Sequence, residues 1–149
     1  MIIREIDLSL PNALSEMEAL VATLDFFVET CAVPAKPAYR LHLAVDEFVN
    51  NAVDHGYGDG RAGEIGVHLR HTGEALELTL SDDGDPFDPF NAPPPDLTGT
   101  VEERRIGGLG VHLVRTFADS FGYRRENGRN IITLRLSLTE SAAGQPQQP

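Results

Sequence analysis

The sequence predicts a two-layer α/β (α+β) sandwich in which a mostly antiparallel, mixed sheet carries three helices on one face. Three observations predict it. The apolar periodicity runs strand, helix, helix, strand, strand, long loop, helix, strand, strand. Two strand pairs are joined by short turn sequences, His71-Thr72-Gly73-Glu74 and Asn127-Gly128, which close antiparallel hairpins. With 149 residues the chain is sized for one core, and this element order suits helices stacked on one sheet better than alternating parallel units.

The first element, residues 2–10 (IIREIDLSL), reads as a strand, after which Pro11 and Asn12 offer a turn and a helix cap. Leu14, Met17, Leu20, Val21, Leu24, Val28 and Cys31 then follow at helical spacing. VPAKP breaks that helix, and Pro37 can open the next. In the second helix Leu41, Ala44, Val45, Phe48, Val49 and Ala52 form one buried face, with Gly56 placed to end it. Ile65, Val67 and Leu69, then Leu76, Leu78 and Leu80, alternate with polar neighbours as the two strands of a hairpin. Residues 83–106 have little periodicity and five prolines, a lid candidate by length alone. IGGLGVHLVRTFADS starts a third helix from a glycine cluster, and FGYRRE and NIITLRLSL flank Asn127-Gly128 as the last hairpin. The domain is expected over residues 1–139, with a disordered polar tail at 140–149.

Composition excludes several functions. A net charge of -11 disfavours nucleic acid and anionic lipid, both of which attract a positive footprint. A single cysteine, Cys31, permits no internal disulfide and no cysteine zinc cluster. The lone lysine, Lys36, lies in no GxxxxGK[ST] pattern, so a P-loop is absent. No apolar run approaches the roughly 20 residues of a membrane span, and MIIREIDLSL lacks the layout of a secretion signal, so a cytoplasmic location is expected.

Three polar clusters remain. On the second helix Asp46 and Asn50 point away from the apolar face and read as solvated surface, whereas Glu47, Asn51 and His55, four residues apart, form a ladder along its edge. That edge is either an ordinary polar border or the wall of a cleft. The second cluster, SDDGDPFDP, follows a strand end and is by default an Asp-Gly turn, since the register of a calcium loop fails. A carboxylate fixed there can also accept a hydrogen bond from an exocyclic amino group, and Gly84 would let a base or sugar approach the backbone. The third, RRIGGLGVHL, presents the free N–H groups of a glycine-rich helix start, an anion site that needs no lysine, although a plain hinge would look the same. The dinucleotide fingerprint fails, because Leu113 stands where its third glycine belongs. Together the clusters form an inventory for a nucleoside triphosphate: Asn51 for Mg²⁺, Asp82 for the base, Gly107 to Gly110 for the phosphates and Glu47 as a general base.

The motifs ExxxNAxxHG (Glu47, Asn51, Ala52, His55, Gly56), DxGxPFDP (from Asp82 to Pro89) and IGGLGxHLV (Ile106 to Val114) resemble the N, G1 and G2 boxes of the GHKL ATP-binding superfamily. Within it, residues 3–138 are similar to the bacterial anti-sigma factor serine/threonine kinases of partner-switching systems. The resemblance implies a Bergerat-type sandwich that binds ATP and Mg²⁺, with Glu47 as catalytic base, Asn51 as metal ligand and Asp82 as the adenine-reading carboxylate. It places Gly84, Gly108 and Gly110 among the pocket glycines, and His55, Phe87, Gly107, Leu109 and Val111 with them at the nucleotide. It implies phosphorylation of an antagonist protein of the STAS fold, binding of a sigma factor, and possible homodimers. Arg104 and Arg105, at the end of the lid, are candidates to meet a phosphate or are simply solvated. Two alternatives compete. One is a non-catalytic, ATP-binding anti-sigma or adaptor module. The other, a histidine-kinase catalytic domain, needs a helical segment with an acceptor histidine, for which the sequence before Leu10 and after Leu138 leaves no room; His42, His68, His71 and His112 read as surface or packing residues. A zinc hydrolase fails for want of an HExxH spacing.

Overall fold

A computed structural model describes residues 4–91 and 106–139. The elements follow one another as β1 (Glu5–Pro11), α1 (Met17–Thr30), α2 (Ala35–Gly56), β2 (Glu64–His71), β3 (Ala75–Asp82), α3 (Ile106–Phe117), β4 (Ser120–Glu126) and β5 (Arg129–Ser137), with 3₁₀ turns at Leu14–Glu16 and Pro89–Asn91. The expected element order holds. The five strands form one sheet in the order β1-β2-β3-β5-β4. All four pairings are antiparallel, so the sheet of the described residues is not mixed as expected. The β2–β3 and β4–β5 pairs zip through short turns, and β1–β2 and β3–β5, joined through helices, run antiparallel as well. In the β4–β5 turn Asn127 (φ 52°) and Gly128 (φ 76°) both adopt the left-handed conformation that a two-residue turn demands.

Strand alternation sorts the sheet into two faces. Ile65, Val67 and Leu69 of β2, Leu76, Leu78 and Leu80 of β3, and Ile132, Leu134 and Leu136 of β5 are buried against the helices. From α1 come Leu20, Leu24 and Phe27, from α2 Leu41, Val45 and Phe48, and from α3 Val111 and Val114, which complete one core. The opposite face is polar, with Glu77 bridged to Arg70 at 2.9 Å and to Arg135 at 3.0 Å. Such half-exposed pairs contribute little individually.

Several local expectations change. Helix α2 starts at Ala35 rather than at Pro37; Pro34 precedes it in an extended conformation, and Pro37 still falls in the first turn, where no N–H is needed. Asn12 does not cap a helix. Its side chain accepts from Gly63 N at 2.9 Å and donates to Arg61 O at 3.3 Å, tying the end of β1 to the approach to β2. Helix α1 ends in a Schellman turn, with Val33 N to Val28 O at 2.9 Å and Ala32 N to Glu29 O at 3.2 Å, although its left-handed residue is Ala32 (φ 54°) instead of glycine. Cys31 packs against the core, and burial pushes its thiol up. Of the histidines expected as surface or packing residues, His42 and His68 are half-buried, His42 lying 3.1 Å from Asp25 and His68 2.6 Å from Glu5. Residues 92–105, which hold most of the expected lid with Arg104 and Arg105, and the expected tail at 140–149 lie outside the described residues.

Candidate functional site

The site forms where β3 stops. Asp82 continues the inward column of Leu76, Leu78 and Leu80, so a carboxylate stands where a fourth leucine would, only 6% exposed. The sheet register sets Asn130 directly beside it. Asn130, 3% exposed, donates to Asp82 Oδ1 and to the carbonyl of Asp85, both at 2.9 Å, while its own oxygen accepts from Phe87 N at 3.2 Å and from the Tyr123 hydroxyl. Gly84 N donates to the same Asp82 oxygen at 2.9 Å. Asp82 Oδ1 is thus held by two donors, which fixes the carboxylate plane and leaves the second oxygen's acceptor capacity for another partner. Asn130 was missed by motif reasoning. The signal was present: it is the polar member of the inward series Asn130, Ile132, Leu134, Leu136.

Above Asp82, α2 supplies Phe48, Asn51, Ala52 and Gly56 to a small pocket lined also by Phe87, Pro89, Asn130 and Ile132. Gly56 and Gly84 are there for each other. A Cβ on Gly84 would lie 2.7 Å from both Cα and O of Gly56, and Asp85 N donates to Gly56 O at 2.8 Å. Close packing of two backbones, and not approach of a ligand alone, accounts for glycine at position 84. Nor does Gly56 end α2 by a left-handed turn, since it is not among the glycines of positive φ.

The turn after β3 is pinned on its outer side. Asp83 Oδ1 accepts from Tyr57 Oη at 2.7 Å and from Glu64 N at 3.0 Å, and these donors, Glu64 N foremost, hold its carboxyl below the usual range. Burial above all, and then the bond to Asp83, raise the Tyr57 hydroxyl. Residues 83–91, the beginning of the expected lid, give Phe87 and Pro89 to the pocket wall. They end in a 3₁₀ turn that Arg115 grips through Phe90 O at 2.6 Å and that stacks Phe90 edge-on against Phe48 at 5.5 Å.

The Glu47, Asn51, His55 ladder splits three ways. His55 stacks on Phe87 with ring centroids 4.2 Å apart and 12° between planes, so it backs a wall of the pocket instead of lining it. Asn51 lines the pocket. Glu47, one turn earlier, is 7% exposed, and its Oε2 has no hydrogen-bond partner among the described residues. Burial, with Asp46 and then Asp54 adding repulsion, pushes its carboxyl up to about 7, against a bond from Asn51 that pulls it down. A carboxyl raised in this way holds a proton more readily than a solvated one. Asp46 is exposed, and Asn50 bonds back to its carbonyl at 2.7 Å, as surface residues do.

Gly107, Gly108 and Leu109 lie in the first turn of α3, where backbone N–H groups have no intrahelical acceptor. Gly110 is buried against Glu47, and Val111 belongs to the core cluster instead of the pocket lining. Among the described residues no group of three or more His, Cys, Asp and Glu could hold a metal ion, and Asn51 is the side-chain amide that α2 gives to the pocket lining. No helix of the described residues is long and apolar enough to cross a membrane.

The chain is a one-sided antiparallel sandwich with an acid sunk at a strand end and a glycine-rich helix packed against α2. The chain belongs to the family described as the histidine kinase-like ATPase domain, whose model matches residues 10–136. It is 34% identical over 100 residues to the serine/threonine-protein kinase BtrW of Bordetella bronchiseptica, an alignment covering 67% of this chain and 70% of that protein. To the serine-protein kinase RsbW of Bacillus subtilis it is 33% identical over 93 residues, covering 59% of this chain and 58% of that one. In fold it is similar to the RsbU and RsbW domains of Rv1364c from Mycobacterium tuberculosis, with a TM-score of 0.62 at 15% identity, covering 90% of this chain and 32% of the other. The chain thus spans less than two thirds of the RsbW protein it matches and about a third of that solved chain.

Proposed function

We propose that the protein is an ATP- and Mg²⁺-dependent serine/threonine kinase that acts as an anti-sigma regulatory factor, phosphorylating a STAS-fold antagonist and binding a sigma factor in a partner switch. The observation that carries the catalytic reading is Glu47: a buried carboxyl with one oxygen unpartnered among the described residues, one turn from Asn51 on the pocket. The names of the relatives as serine-protein kinases support the reaction class. In this reading the free acceptor capacity of Asp82 takes the amino group of adenine, and the first turn of α3 offers its N–H groups to the phosphates. Asn51 holds Mg²⁺, which would supply charge neutralisation on the triphosphate. Glu47 accepts the proton of the attacking serine or threonine hydroxyl as its oxygen bonds to the γ-phosphorus and ADP departs.

The test is incubation with γ-labelled ATP, Mg²⁺ and purified STAS-fold proteins. Label should appear on a serine or threonine and vanish with EDTA. Glu47→Ala should bind ATP as the native protein does while transfer falls by about 10²-fold or more. Equal transfer rates for the two proteins would defeat the base assignment. ATP binding with every partner left unlabelled would make the protein an adaptor instead.

A further inference from the structure

Helices α2 and α3 touch at one point where there is no room for a side chain. A Cβ built on Gly110 would lie 2.1 Å from Glu47 Oε1, 2.6 Å from its Cδ and 3.0 Å from its Cγ. Rotating the carboxylate about its last bond would not clear these contacts, because two carbons of the side chain are struck as well as an oxygen. Glu47 has little space to retreat, being 7% exposed on a helix whose inner face is packed into the core. Gly110 itself is buried, next to Val111 of the core cluster.

We propose that Gly110 is a positioning residue for Glu47. Its missing side chain makes the notch in α3 in which the carboxylate rests, so the seat of α3 against α2 sets where the base stands. The catalytic consequence rests on the reading of Glu47 as the base. The notch itself does not, and the two can be tested apart.

Four proteins decide it: native, Gly110→Ala, Glu47→Ala and the double variant. Without nucleotide, Gly110→Ala should lower the melting temperature of the native protein by about 5 °C or more. In the Glu47→Ala background the same change should cost nothing or raise it, since the carboxylate is gone and alanine is the better helix former. Folding of the double variant when Gly110→Ala alone fails to fold supports the notch equally; an equal loss in both backgrounds, or failure of both to fold, overturns it. This cycle reads the contact whether or not any kinase activity is found. Where transfer is measurable, Gly110→Ala should lower the rate at saturating ATP by about tenfold or more while the Kd for ATP stays within about threefold. Loss of ATP affinity with the saturated rate intact would give Gly110 to phosphate binding and remove it from the base.

Discussion

Asn130 shows how much one side chain can organise. Four polar groups from three segments meet its amide: the Asp82 carboxylate, the Asp85 carbonyl, the Phe87 N–H and the Tyr123 hydroxyl. Each would be left short of a partner in a nearly dry environment if the amide were removed. Asn130→Ala is therefore expected to destabilise the fold by about 2–3 kcal/mol, read as a lower urea midpoint, and to weaken nucleotide binding by about tenfold or more in calorimetry. A variant with native stability would mean that water replaces the amide and that the hub is not structural. The neighbouring Asp82 and Asp83 show alternation at work on adjacent carboxylates. One points into the pocket and the other outward to Tyr57, so a single turn serves both the site and its anchoring. The ladder of Glu47, Asn51 and His55 was legible as a flank of α2, because helical spacing alone fixes a direction. Its division into buried acid, pocket amide and stacked ring was not, because α3 and the turn after β3 make that division, and both come from distant sequence.

At the scale of elements, the site is built by two backbones that come too close for side chains. Gly56 closes α2 and Gly84 sits in the turn after β3, 28 positions apart by numbering, with the bond from Asp85 N to Gly56 O locking them together. The helix end and the strand end are thereby held in one rigid corner above Asp82. Gly84→Ala would drive a methyl to 2.7 Å from the Gly56 backbone, which no rotamer can relieve. We expect it to cost about 2–4 kcal/mol of stability by denaturant titration and to widen the pocket. A variant with an unchanged midpoint and unchanged nucleotide affinity would show that the corner yields. The same kind of argument applies at Gly63, where a Cβ would meet the Tyr57 ring at 2.1 Å. Glycine in the sequence thus signals a constraint without saying which neighbour imposes it.

For the whole molecule, one core joins all three helices to the inner face of the sheet and takes in the buried hydrophobic residues described, apart from Tyr57 and Ala75. Unfolding should accordingly be a single cooperative event. With no tryptophan and three tyrosines, two of them buried or half-buried at the site, tyrosine fluorescence reports the pocket end while far-UV circular dichroism reports the whole fold. The two denaturation curves should coincide within error. A tyrosine transition at lower denaturant would reveal a pocket that opens before the core. ATP with Mg²⁺ should then shift both curves together by mass action, a check on binding that does not require turnover.

What the sequence determined by itself was the order and kind of the elements, their inward faces and the two hairpins. Those follow from period-2 and period-3.6 patterning and from turn chemistry, all of which act over a few neighbouring residues. The residues of the candidate site were also visible as three separate clusters. Only the tertiary structure decided how they combine: that Asp82 is clamped by Asn130 through strand register, that Gly84 answers to Gly56, and that Gly110 makes the recess for Glu47. These are contacts between segments tens of residues apart. Their distances depend on how helices settle on a twisted sheet, and no local pattern in the chain encodes a separation of 2 or 3 Å across that interface.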